Sequence, residues 1–148
     1  MDTRKSFILF LSLLVILIAS SPAQAERFVD KNDGTVYDRQ TGLLWLQIDT
    51  EEGLYWKDAL RYCADYCDTQ ERCDYRLPNY REMSSVFEET DYGAPVQFNF
   101  YGVRRAWTNT TSPRDDNYAW VVDFSSKTVL KFSKGGYRWP ARCVRGGH

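Results

Sequence analysis

The chain has 148 residues, of which 43% are hydrophobic and 16% aromatic, with 19 Lys and Arg against 20 Asp and Glu. That is enough for one domain with one real core. Its single histidine is the last residue, which leaves little for histidine-based acid–base, nucleophilic or metal chemistry, and the charge balance does not suit a nucleic-acid binder.

Residues Met1 to Ala25 read as a cleaved secretory signal. Arg4 and Lys5 precede an apolar run from Phe7 to Ala19 broken only by Ser12, and Ala23-Gln24-Ala25 is a small-x-small cleavage site. The run of 13 residues is short of the roughly 20 that a membrane-spanning helix needs, so no transmembrane segment is expected after cleavage. With no cysteine near the cleavage site, a lipid anchor is disfavoured. Residues 26–148 are then expected to be a single periplasmic or secreted domain.

Charge is unevenly distributed. Residues 26–99 carry 8 basic and 16 acidic side chains, a net of −8; residues 100–148 carry 9 and 3, a net of +6. Such a split provides a basic face for an anionic partner, or two halves that neutralise each other in the fold.

Glu26 to Asp38 reads as a hairpin, with Arg27-Phe28-Val29 and Thr35-Val36-Tyr37 joined by Lys31-Asn32-Asp33-Gly34. A turn over Asp38–Gly42 leads into the apolar strand Leu43–Leu46. Trp56 to Cys67 is helical, with Trp56, Ala59, Leu60, Cys63 and Tyr66 on one face. The polar loop between Cys67 and Cys73 is closed most simply by a local bridge. Even-numbered cysteines in an exported chain predict two disulfides among Cys63, Cys67, Cys73 and Cys143, with three possible connectivities. A four-cysteine zinc site is the rival, but only Cys63 and Cys67 have its spacing.

Pro78 then pushes Leu77 towards an extended conformation, and Asn79 with Glu82 three residues on forms a capping box for a helix over Tyr80–Glu88. Leu77 is expected to be buried, and Arg76 to point away from Tyr75 and Leu77. Met83, Val86 and Phe87 form the apolar stripe of that helix. Glu89 to Gly102 is irregular, pinned by Phe98, Phe100 and Tyr101. Strands follow at Arg105–Thr108, Tyr118–Phe124, Thr128–Phe132 and Ala141–Val144, with a polar loop at Ser112–Asn117 and turns at Ser125–Lys127 and Lys134–Gly136.

Seven short blocks carry a resemblance: Asp33-Gly34-Thr35-Val36 with Asp38; Thr41-Gly42-Leu43 with Trp45; Trp56 with Ala59 and Cys63; Tyr75-Arg76-Leu77-Pro78-Asn79 with Glu82; Ala106-Trp107-Thr108; Ala119 to Phe124; and Arg142 to Gly147. In this order they resemble the bacterial domain family named for the C-terminal domain of the Legionella collagen-like adhesin (Lcl), a family of unknown function. The resemblance implies an α+β, C-type-lectin-like fold with two helices packed on antiparallel sheets. It also implies a disulfide from the first helix to the last strand, which maps onto Cys63–Cys143 and leaves Cys67–Cys73. The triplets by which calcium-dependent lectins hold a sugar are absent. No cofactor is implied, and calcium alone stays open.

The functional expectation is an exported, non-enzymatic binding module for an anionic polysaccharide or glycan, in adhesion or at the envelope. Its candidate residues are Arg104, Arg105, Arg114, Lys131, Lys134, Tyr137, Arg138 and Trp139, because guanidinium groups hold sulfate or carboxylate bidentately and aromatic rings pack on sugar faces. Arg142 and Arg145 belong to the same basic stretch. Trp107 and Trp120, in apolar strands, are expected in the core. The alternatives are a protein-interaction or structural domain of the envelope, with the acidic half docking an envelope protein, and a hydrolase built on paired carboxylates.

Overall fold

The computed structural model describes residues 26–89 and 105–147. The expected signal at Met1–Ala25, all of the expected irregular stretch beyond Glu89, Arg104 and His148 lie outside the described residues.

The hairpin forms as the sequence predicts. Strands β1 (Phe28–Asp30) and β2 (Thr35–Asp38) pair antiparallel, with Phe28 opposite Asp38. Gly34, at φ +83°, supplies the left-handed conformation that the turn requires. Asp38 organises the next turn: it accepts from the Gln40 backbone N–H and the Thr41 hydroxyl, and the Arg27 guanidinium grips both its oxygens at 2.9 Å. The chain then enters β3 (Leu44–Leu46), which pairs with β2 on one side and with the final strand β7 (Val144–Arg145) on the other. The four strands form one antiparallel sheet in the order β1-β2-β3-β7.

The second sheet is antiparallel in the order β4-β5-β6, from Arg105–Thr111, Tyr118–Asp123 and Thr128–Ser133. Helix α1 covers Trp56–Asp65 and helix α2 Tyr80–Ser85, the latter continuing as a 3-10 turn over Val86–Glu89. The fold class is therefore α+β, two helices on two antiparallel sheets.

The second sheet is apolar on both faces. One face contributes Ala106 and Val122 to a core with Met83, Val86 and Phe87 of the second helical segment and Val36, Trp45 and Val144 of the first sheet. The other contributes Trp107, Ala119 and Val121 to a core with Ala59 and Cys63 of α1, Leu77, Tyr75 and Cys143. Cys63 bridges to Cys143 across the second core, and Cys67 to Cys73 closes the small loop beyond α1. All four cysteines being bridged, the zinc alternative is gone.

Two expectations need correction. The last strand is shorter than Ala141–Val144: Ala141 and Cys143 bond in extended fashion to Thr50 and Leu46, and regular pairing begins only at Val144. Trp120 is not in the core as Trp107 is. It lies half-buried on the α2 face of β5, its ring 6.3 Å from that of Tyr80.

Candidate functional site

The aromatic and basic residues of the last third are positioned by the turn after β6. Ser133 to Gly136 reverses the chain, and Leu54 and Trp139 then exchange both backbone bonds of an antiparallel bridge, at 3.0 and 3.1 Å. This pairing needs Gly53: a Cβ there would stand 2.8 Å from the Arg138 carbonyl oxygen. Two indoles fix the same segment. Trp107 Nε1 donates to the Leu54 carbonyl and Trp56 Nε1 to the Thr108 carbonyl, each at 2.8 Å.

On this frame Tyr137 and Trp139 lie parallel, ring centroids 6.2 Å apart, with Phe132 edge-on to both. The Arg105 guanidinium sits 5.1 Å from the Trp139 ring centre and 5.4 Å from that of Phe132, while donating to Asp123 at 2.7 Å. Burial alone raises the Asp123 pKa. Hydrogen bonds from Ser125, Arg105 and the Ser126 backbone outweigh it and hold the carboxyl well below its usual range. Arg138 covers the Tyr55 ring at 4.4 Å. Tyr137 is 48% exposed, and Arg138 is also exposed.

Next to this surface lies a cleft of about 700 Å³ between the start of α1, the turn at Asp116–Asn117 and the turn at Ser133–Gly135. Tyr55 is common to both. Lys134 stands in the cleft with its ammonium 3.9 Å from the Trp56 ring centre and 2.9 Å from Thr111 Oγ1. Asp58 and Asp116, both exposed, line the same cleft.

Thus Arg105, Tyr137, Arg138 and Trp139 share one surface, with Lys134 in the adjoining cleft. Lys131 does not join them. It alternates with Phe132 along β6 and lies over the Tyr118 ring on the opposite face. Arg114 is exposed on the Ser112–Asn117 loop, apart from the cluster. Arg104 lies outside the described residues. Arg142 is removed from any binding surface: its side chain is 1% exposed, donates to the Leu46 and Gln47 carbonyls, and faces Asp49 at 3.6 Å. Burial pushes its pKa down to about 10, against the pull of Asp49. Arg145 pairs bidentately with Asp74.

A model of the Lcl C-terminal domain matches residues 34–145. The chain belongs to that family. No curated protein matches it. In this Lcl C-terminal domain the blocks that carried the resemblance are mostly structural: Leu77, Trp107 and Cys143 are core, and Asn79 and Glu82 close a capping box. The sequence reading did not foresee the cleft. Tyr55 and Asp58 at the start of α1 meet Asp116–Asn117 and Ser133–Gly135 from far along the chain, and no local pattern links these segments.

Proposed function

We propose that this Lcl C-terminal domain is an exported, non-enzymatic binding module for an anionic glycan, on a C-type-lectin-like scaffold. The observation that carries the reading is an exposed cation laid on an aromatic ring, Arg138 on Tyr55, beside the exposed Tyr137 and the Trp139 and Phe132 rings on which the half-buried, Asp123-paired Arg105 rests. A guanidinium held against a ring keeps its donors aimed outward for sulfate or carboxylate, and the neighbouring ring faces accept the apolar side of a sugar. Export is supported by two disulfides, which persist in oxidising compartments, and by the signal-like N-terminus. Among the described residues, no helix is long and apolar enough to cross a membrane.

The test is retention on an immobilised sulfated or uronic-acid polysaccharide at low and high salt. Retention at low salt, lost at high salt and reduced in Arg138→Ala and Tyr137→Ser, supports the reading. A folded protein that flows through at low salt overturns it.

Asp58 and Asp116 in one cleft favour a second reading, a glycoside hydrolase. Both carboxylates are exposed, and no hydrogen bond from another described residue holds either in the fixed, opposed geometry that a glycosidase pair needs. Binding is therefore the preferred reading, and release of reducing ends from the retained polysaccharide decides for hydrolysis.

A further inference from the structure

We propose that the cleft at the start of α1 is a subsite for an uncharged hexopyranose unit. This rests on the glycan reading above and narrows it: the rim around Tyr137 and Arg138 meets negative charge, and the cleft takes a neutral ring.

Tyr55 and Trp56 give the cleft an aromatic wall, and Trp56 is held in place by its bond to the Thr108 carbonyl. Lys57, Asp58, Asp116, Asn117, Ser133 and Gly135 line the rest, and among the described residues no hydrogen bond or ion pair engages the side chains of Lys57, Asp58, Asp116, Asn117 or Ser133. Two carboxylates, an amide and a hydroxyl stand against one uncommitted ammonium, that of Lys57, so acceptors predominate. The Lys134 ammonium is already committed to Thr111 and to the Trp56 ring. The carboxylates of Asp58 and Asp116 are balanced by the ammonium groups of Lys57 and Lys134, so the cleft as a whole has no net charge to attract an ion and suits a ligand that brings donors and no charge of its own. A neutral sugar ring does both. Its hydroxyls donate to carboxylate and amide oxygens, and its C–H face packs on an aromatic wall. The volume, about 700 Å³, lies in the range of small-ligand sites.

Rim and cleft are separable by salt. Polyanion capture is screened at high ionic strength, whereas hydrogen bonding and packing of an uncharged ring are not. The experiment is a titration of the isotopically labelled protein with glucose, galactose, mannose and N-acetylglucosamine at high salt, followed by NMR. At least one sugar is expected to give saturable shifts at the Trp56 indole N–H and the Asn117 amide. Binding is expected to weaken by about tenfold or more in Asp116→Ala/Asn117→Ala, whose side chains make no hydrogen bond or ion pair to another described residue, and in Asp58→Ala as an independent variant. No saturable shift with any of the four sugars overturns the proposal. So do shifts that survive in both variants, and so does a response to glucosamine or a uronic acid alone. Loss of polysaccharide retention at low salt, with neutral-sugar shifts intact, overturns the rim reading and leaves the cleft standing.

Discussion

Leu77 and Arg76 are adjacent and point opposite ways. Leu77 is 1% exposed in the core with Trp107 and Cys143, so Leu77→Ala is expected to cost about 2–5 kcal/mol through lost transfer energy and the cavity left behind. Arg76 reaches outward, with its side chain 37% exposed, and takes Glu82 bidentately at 2.7 and 2.8 Å and the Gly146 carbonyl at 3.1 Å. Arg76→Ala is expected to cost about 1 kcal/mol, since bidentate geometry lifts a half-exposed pair to the top of the usual range. Thermal melting of the two variants checks the order. Asp68 is the residue to follow with pH. Burial raises its pKa, but bonds from the Tyr75 hydroxyl, the Arg72 backbone and side chain, and the Gln70 backbone more than offset this and hold it at about 2. A carboxyl with a depressed folded pKa gives stability that is complete above its unfolded value near 3.9 and lost as pH falls through the folded value. Unfolding midpoints are therefore expected to fall steeply from about pH 4 towards pH 2. In Asp68→Asn the acid limb should be shallower, though Asp33, Asp38 and Glu82, all shifted down as well, keep part of it.

Of the two described α-helices, α2 is the shorter and the more dependent on its start. Asn79 accepts from the Arg81 and Glu82 backbone N–H groups, and Glu82 returns the bond to the Asn79 N–H, all within 2.8–2.9 Å. Six residues cannot sustain a helix by propensity, so cap and packing hold it. Asn79→Ala is expected to cost about 1 kcal/mol, read from denaturant midpoints. This cap was legible because it lies within four consecutive residues, and so were the β1–β2 hairpin and α1, where period and turn residues are local. The strands of the second sheet were found, but not which side chains face where. Both faces of β5 are covered, so Tyr118 to Asp123 lacks the polar alternation that separates Trp120 from Trp107. The candidate site was legible in its residue types and not in its grouping. Lys131 and Phe132 are neighbours in sequence and lie on opposite faces, while Tyr55 and Arg138 are distant and touch.

Across the whole molecule, the acidic and basic halves neutralise each other only in part. Arg142–Asp49 and Arg145–Asp74 cross between them, one buried and one on the surface. The buried pair was invisible in the sequence, where an arginine beside Cys143 reads as surface charge, and the tertiary approach of Asp49 and of the Leu46 and Gln47 carbonyls makes its burial tolerable. Arg142→Met leaves Asp49 without its counter-ion and is expected to cost about 3–5 kcal/mol; calorimetry on Arg142→Met and on Arg142→Met/Asp49→Leu should show the double variant recovering much of the loss.

The reciprocal indole bonds from Trp107 and Trp56, with the Leu54–Trp139 bridge, have a kinetic consequence. If the rim is the proposed polyanion site, a surface held this way is already formed before contact, so capture would order little and wait on no rearrangement of the loop. Association should then be limited by diffusional encounter, and encounter by charge. Added salt is expected to lower the association rate strongly and to leave dissociation nearly unchanged in surface-immobilised kinetics. Gly53→Ala, which drives a methyl group into the Arg138 carbonyl, should slow association even at low salt, because the rim would then have to find its shape after contact.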